Sequence, residues 1–550
     1  MKHTGIYSIV AAGLMCLGGG ACNSLLDLTP PMNDVEDNFY RSSKDMYQSL
    51  TSAYNVLTWS APKAVSGGAQ NCAFEVVSEI LGDCCYAGGA SANDAVQTSR
   101  LDRFTMLVSD LYPEALWHKY YTGIYRCNKF FEKIDGAAFE DEDLRAMYKA
   151  EGHFLRAYYY FDLVRLFGNV PLILTPLTPA DFAQKQAEPA AVYEQIATDL
   201  LTAVGMKRAD GSPAMTEAAN QFDSADKGRA TLDAAKALLC RVWLYYTGYY
   251  GRQELPGVSA EEIIRMIEEV ADSGNYSFLA NAYAKDTASG VSPLWNVSNK
   301  NCSEEVFTIQ YSALSKWGDW SNREGCMGNQ AVILWGIRDV ASPYAAGWSF
   351  APVDKRLFDA YDPADPRRWA TLINANAAEG DNDGEGLKYT EGFQNTGYFC
   401  RKFTPLTANN ASSGSRELNY PNNYPSIRWT DVLLMAAEME FRYGSQSKAF
   451  GYYAKVRERA LGAGSAGNAG NAGELTLNKI LDERLLELAL EGHRYWDVLR
   501  QGDTYAASVL TNGEEGEFAV TWDRTRRGLL PIPQYEITQS RNSLVQNPGY

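Results

Sequence analysis

Apolar residues return at helical spacing along most of this chain. The stretch Trp117–Ile134 reads as one amphipathic helix and Leu144–Phe167 as a second. In the second, Phe154, Tyr158, Phe161 and Val164 fall on one face, at i, i+4, i+7 and i+10. Gly168 ends that helix, with Pro171 just beyond. Ala190–Val204 and Thr231–Tyr246 form the next pair, the latter Ala-rich on one side so that a neighbour can approach closely. Ser259 and Glu262 have the spacing of a capping box, ahead of Ile263, Ile264, Ile267 and Val270. Helical pattern resumes at Ile427–Tyr443 and Lys448–Leu461, and Leu477–Arg500 reads as one long helix after a Gly/Ala/Asn linker at 462–473.

Between 275 and 420 the pattern changes. Gly, Asn, Ser and Pro become frequent, long helical periods vanish, and six of the twelve Trp fall here: Trp295, Trp317, Trp320, Trp335, Trp348 and Trp369. The chain therefore divides into a helical part at 46–274, a loop-rich insert at 275–420 and a second helical part at 421–550, within one structural domain. Helix pairs of this spacing, with Ala and aromatics at the crossings, resemble tetratricopeptide repeats. The predicted fold is mainly α: a tetratricopeptide-like helix-pair scaffold carrying an irregular, ligand-binding insert.

The N-terminus changes the picture of where the chain works. A basic start (Lys2, His3), an apolar run from Ile6 to Leu17 and small residues through Ala21 have the layout of a secretory signal. The run is too short to span a bilayer. Cys22 directly after it looks like the modified residue of a bacterial lipoprotein, although Gly19 stands where Leu is usual; a plain signal cut at Ala21 is the bland alternative. Residues 1–21 are thus read as signal peptide and 22–45 as a lipidated tether. Acyl chains on Cys22 would hold the protein on a membrane. The formal net charge of −17 argues against nucleic acid and against adhesion to anionic lipid. Eight Cys follow Cys22 without a CxxC pair, so this is no disulfide scaffold, though Cys302 with Cys326 is a pairing to test.

Candidate chemistry concentrates in two loops. Trp317 and Trp320 flank Gly318-Asp319, and Ser321-Asn322-Arg323 follow. An indole face can stack on the C–H face of a sugar ring while Asp319, Asn322 and Arg323 take its hydroxyls. Trp295 is a further candidate platform. For any one of these Trp, burial in the core is the competing reading. The second loop runs from Glu79 to Asp94, Gly-rich and polar, with Tyr86, Asn93 and Asp94 as candidate contacts; an ordinary surface loop is its alternative. Gly380–Gly386 invites calcium, but aligning Gly384 with the EF-hand glycine puts Thr390 where the bidentate Glu belongs. A solvated turn is expected there and no cofactor, a nonstandard calcium site being the minor alternative. After the signal only His118, His153 and His493 remain, all in helical patterns, and no HExxH, P-loop or GxSxG occurs.

A series of motifs, in order along nearly the whole chain, resembles the SusD/RagB family of Bacteroidetes lipoproteins. They are Cys22–Asp27, Trp117–Asn128, Glu151–Phe161 with Leu166–Pro171, Ala234–Leu244, Ile427–Glu438, Val456–Ala460, Asp482–Arg484 with Arg494–Asp497, Leu530–Pro533 and Gln546–Tyr550. The region 275–420 matches poorly. The resemblance implies an outer-membrane lipoprotein facing the cell exterior. It would capture an oligosaccharide and close as a lid over a SusC-like TonB-dependent transporter, with no covalent chemistry. Peptide capture on the same scaffold is the alternative, and a helical glycoside hydrolase a more distant one. The helix-borne charges Arg156, Arg165, Arg457, Arg459, Glu483, Arg484, Arg494 and Asp497 are expected to be structural ion pairs rather than ligand contacts.

Overall fold

The computed structural model describes residues 39–60, 73–318, 326–469 and 471–550. The signal segment and Cys22 lie outside them. Three helices open the fold: α1 (Ser43–Asn55), α2 (Phe74–Ile80) and α3 (Val96–Asp102). The predicted helix pairs follow as α4 (Leu111–Ile134), α5 (Glu142–Phe167), α6 (Pro189–Gly205), α7 (Leu232–Tyr250) and α8 (Ala260–Ala271). Each packs on the next.

Local chemistry sets these boundaries. Asp141 caps α5 by accepting from the Asp143 and Leu144 amides. Gly168 closes α5 at φ 67°, a left-handed backbone that Gly adopts without strain. At Gly123 in α4, a Cβ would sit 2.6 Å from the Tyr159 ring of α5, so glycine lets the two helices close. The capping box at Ser259 and Glu262 forms as predicted. Helix α7 runs on to Tyr250, past its predicted end at Tyr246.

The stack does not end at α8. Helix α12 (Trp429–Tyr443) packs on α8, and α13 (Gln446–Leu461) packs on α12. Residues 275–428 are therefore looped out between two helices that touch. Among its described residues this excursion holds three short helices, α9 (Ala331–Trp335), α10 (Lys355–Ala360) and α11 (Pro366–Thr371). It also holds two small antiparallel sheets. Strand β1 (Glu305–Ile309) pairs with β4 (Tyr424–Arg428), and β2 (Leu372–Asn374) pairs with β3 (Tyr398–Cys400). Ile427 and Arg428, assigned to a helix from sequence, instead end strand β4. The chain closes with α14 (Leu477–Leu488), α15 (Arg494–Leu499), α16 (Asp503–Leu510) and α17 (Gln534–Gln539).

The single helix predicted over Leu477–Arg500 is two helices with a break. Leu490 and Gly492 take left-handed φ of 66° and 80°. The break lets the Gly492 amide donate to the buried Glu79 carboxylate at 2.6 Å. It also leaves Glu491 facing Arg428 and Lys402. Tertiary hydrogen bonds outweigh helix propensity here. The Cys302–Cys326 pairing is absent: both are free thiols, and the Cys326 S–H points to the Leu418 carbonyl at 2.8 Å. In the 380–386 turn, Asp383 is taken by Arg368 at 2.9 Å and Lys285 at 3.5 Å. Among the described residues no group of three or more His, Cys, Asp or Glu converges as a metal cluster. No described helix is long and apolar enough to cross a membrane.

Candidate functional site

Trp317 is held from both sides by its backbone. Its amide donates to the Asn419 side-chain oxygen (2.8 Å), while its carbonyl accepts from the Asn419 side-chain amide (2.6 Å) and the Ser415 amide (2.9 Å). Asn419 is fully buried, so the anchor is fixed. The Trp317 side chain remains half-buried. Beside it two apolar side chains stand in solvent: Leu314 is 86 % exposed and Met327 51 %. Ser312 donates to the Met327 carbonyl at 2.7 Å, which keeps the two loops together. Exposed apolar side chains near a tryptophan whose backbone is firmly held mark an interaction face better than any of them singly.

From Met327 the contacts run on in one direction. Asn329 donates to the Tyr420 carbonyl (2.8 Å), and the Gln330 side chain accepts from the Ser60 hydroxyl (2.7 Å). Helix α9 follows, and the Trp348 amide donates to Ile333 of that helix (2.9 Å). Trp348 is also half-buried. Next to it the Arg338 amide donates to the Ser349 hydroxyl (3.0 Å), and the Arg338 guanidinium reaches Asp94 at 3.5 Å. Asp94 accepts from the Ala90 amide at 2.8 Å.

The loop bearing Asp94 is zipped onto the excursion. Tyr86 donates to Pro352, Gly89 to Ser349, Ala351 to Ala87 and Phe393 to Gly89. A Cβ on Gly392 would sit 2.3 Å from the Gly89 carbonyl oxygen, so the backbones meet only because glycine stands there. Gln394, itself buried, accepts from the Gly88 amide (3.1 Å) and donates to the Glu517 carbonyl (2.6 Å). The two loops singled out from sequence are thus joined into one strip, with α9 between them.

The individual candidates fare differently. Trp317 lies on the strip, and Asn93 and Asp94 are exposed along it. Asp319, Trp320, Asn322 and Arg323 fall outside the described residues. Trp295 is only 9 % exposed, edge-on to Phe403 at 5.3 Å, with Lys402 and Arg428 over its ring. It packs the interior and offers no open ring face, as do Trp335 and Trp369. Tyr86 is buried too, edge-on to Phe518 at 5.0 Å; burial and then Asp354 push its hydroxyl pKa up. Its role is to seat the loop. Sequence reading passes over Arg338 and includes Trp348 only as one of the six Trp of the insert, without singling it out. A Trp between Gly347 and Ser349, in a stretch without helical period, was the available signal for the latter.

The strip can stack and hydrogen-bond. Its carboxylates are engaged: Asp94 with Arg338, and Glu417 with the Ser415 hydroxyl at 2.6 Å. The three histidines sit elsewhere. His118 meets Glu536 at 3.0 Å, His153 meets Asp199 at 2.7 Å, and burial pushes His493 down to about 4.

Comparison with known proteins agrees with this architecture. A family model described as the SusD family matches residues 303–550, and one described as starch-binding and associating with the outer membrane matches residues 32–244. A solved laminarin-binding SusD-like protein shares 30 % identity with a TM-score of 0.76, over 93 % of this chain and all of that one. Surface glycan-binding protein A from Bacteroides thetaiotaomicron, solved with laminarihexaose, shares 26 % identity with a TM-score of 0.77, over 92 % of this chain and 99 % of that one. SusD-like protein P2 of Formosa agariphila is 28 % identical, over 82 % of this chain and 83 % of its own length. The chain belongs to the SusD family.

Proposed function

We propose that this protein is a cell-surface glycan-binding lipoprotein that captures oligosaccharides on the strip and hands them to a SusC-like TonB-dependent transporter, acting as its lid. The single observation that carries the binding step is the half-buried Trp317, pinned by buried Asn419 and bordered by exposed Leu314 and Met327. A flat aromatic on an anchored backbone, beside polar groups, suits a sugar ring, which has an apolar face and a polar edge. Trp348, Arg338 and Asp94 follow along the same hydrogen-bonded strip. Relatives that bind laminarin or laminarihexaose make a laminarin-type glucan the first ligand to try. Lipidation at Cys22 would tether the strip outside the outer membrane. In this reading the protein binds its glycan without cleaving it.

Isothermal titration with laminarihexaose, a panel of other soluble glycans and mixed oligopeptides tests the reading. Saturable heat from a glycan is the expected result. Heat from peptides alone would move the function to peptide capture, and release of reducing ends from the bound glycan would make the protein a hydrolase. The transporter role is tested separately, by native purification through this chain and identification of a co-purifying barrel.

A further inference from the structure

A cleft of about 530 Å³ lies between α4, the 171–184 segment and α17. That volume falls within the range of small-molecule sites. Its α4 wall is one helix face: Trp117, Tyr121, Ile124, Tyr125 and Asn128, at i, i+4, i+7, i+8 and i+11. Lys119 and Arg126 leave the opposite side of α4, donating to the Leu57 carbonyl at 3.3 Å and the Ser52 carbonyl at 2.6 Å. Leu57 leads to Ser60 and so to the strip. Cleft and strip therefore lie on opposite sides of α4.

The wall is prebuilt. The Tyr121 hydroxyl donates to the Pro171 carbonyl at 2.8 Å, and the Asn128 amide donates to the Ile173 carbonyl at 2.9 Å. These bonds stitch the 171–173 backbone to α4. Trp117 is wedged against Tyr121 and Phe167, with ring centroids 4.9 and 5.1 Å away. Two aromatic rings of the lining remain open to solvent: Tyr125 on α4 is 52 % exposed, and Phe182 on the facing 171–184 segment 54 %. Ile124, Ile173 and Leu544 add an apolar lining, while Gln539, Thr122 and Thr175 bring amide and hydroxyl groups. The one carboxylate in the described lining, Glu536, is engaged by His118 at 3.0 Å. A lining whose described residues include no Lys, Arg or Asp, and whose single carboxylate is engaged, suits a neutral occupant better than an ionic one.

We propose that this cleft is a second oligosaccharide site, taking a neutral, hydroxylated ring ligand that stacks on Tyr125 and Phe182 while the Gln539 amide donates or accepts and the Glu536 carboxylate accepts at its hydroxyls. The proposal rests on the glycan-binding reading above for its ligand class. Two sites on opposite sides of one helix would let a single tethered molecule hold a long glycan at two points, raising avidity without a stronger single contact.

Calorimetry with laminarihexaose decides it, using wild type, Tyr125→Ala/Phe182→Ala and Trp317→Ala/Trp320→Ala. All four side chains are changed without opening the core at Trp117, and thermal melts of the variants check the fold. The expected result is two classes of site in wild type. Each double variant then loses one class and keeps the other. One class in wild type, abolished by Trp317→Ala/Trp320→Ala and untouched by Tyr125→Ala/Phe182→Ala, overturns the cleft and leaves the proposed function standing. No heat from wild type with any glycan overturns both. A crystal soaked with laminarihexaose gives the independent check: sugar in the cleft supports the proposal, and sugar on the strip alone, or a protein partner seated in the cleft, ends it.

Discussion

The scaffold and the strip treat polar groups in opposite ways. In the scaffold, charge is buried and paired. Arg156 meets Asp199, Arg484 meets Asp431 and Asp497, and Arg500 meets Glu438 and Asp497, all with little or no exposure. On the strip, Trp317, Trp348, Arg338 and Asp94 are left partly open. Where the two regions join, the buried charges come from both. Glu304, Arg367, Lys402 and Arg428 belong to the excursion, while Arg459, Glu483, Glu487 and Glu491 belong to the scaffold helices and the turn after α14. The ionic seam fixes the excursion to the helices, and the strip's own backbone hydrogen bonds then hold its loops together. A buried Arg–Glu network in such a chain signals attachment rather than ligand binding.

The largest expected effect comes from breaking that seam. Glu487 is fully buried and receives Arg428 at 3.1 Å, Arg459 at 3.2 Å and Arg367 at 3.3 Å, together with the Tyr283 hydroxyl at 2.7 Å. Burial alone would raise its pKa, but the three guanidinium groups hold it down to about 2. Glu487→Ala leaves three cations short of a partner. Breaking a buried pair by removing one side costs about 3–5 kcal/mol, mostly as the penalty of the charge left behind. A large fall in melting temperature is expected. A variant as stable as wild type would mean that the seam holds nothing together.

Titration separates the regions next, because Glu79 sits between them. It lies on α2, which leads into the Asp94 loop, and it takes the Gly492 amide from the scaffold. Its other oxygen has no partner. Burial pushes it up to about 8 against the Gly492 hydrogen bond. A raised folded pKa gives stability that is complete below the unfolded value of about 4.3 and is lost as pH rises towards 8. Glu487 and Asp497, both held down to about 2, act with the opposite sign: their stability is present above about pH 4 and lost as pH falls. Glu79→Gln should therefore gain melting temperature relative to wild type as pH rises from 5 to 8, with the acid limb unchanged. A difference between the two proteins that stays constant over that range would show Glu79 ionised in the fold.

How much of this was legible depends on the same division. Scaffold helices announce themselves through local signals: the Phe154–Val164 face, Gly168 and the Ser259–Glu262 box. Those signals fail where a distant partner decides, as at Leu490–Gly492, where Glu79 and Arg428 reorganise a run that is helical by pattern. On the strip, sequence could find aromatics in loops but not their exposure. Trp317 and Trp295 have similar settings in sequence, yet Asn419 pins one at the surface and Phe403, Lys402 and Arg428 enclose the other. Exposure is set by pairing over more than a hundred residues of chain, which no local pattern carries. The joining of the Asp94 loop to the Trp317 loop through α9 was hidden for the same reason.

A third test turns to the strip itself. Trp317→Ala removes the indole but keeps the backbone bonds to Asn419, so the loop should stay in place. The expected loss is tenfold or more in glycan affinity, about 1.4 kcal/mol, with the melting temperature little changed. The contrast with Glu487→Ala is what matters: one variant loses binding and keeps stability, the other loses stability first. Unchanged affinity would move the platform to Trp348 or to residues outside the described strip.

The smallest effect belongs to a scaffold position far from every ligand contact. Ser259 accepts from the Glu262 amide at 3.3 Å, and Glu262 returns a bond from the Ser259 amide at 2.9 Å. Both bonds are exposed, and α8 is also held by packing on α7 and α12. Ser259→Ala should cost about 1 kcal/mol, the usual value for a lost N-cap. Glycan affinity should be unchanged, since α8 touches neither the strip nor the α4 cleft. If affinity fell along with this small loss of stability, the strip would be coupled to the helical stack through more than the ionic seam. The sharp division between a stable carrier and an open binding face would then give way to a single cooperative unit.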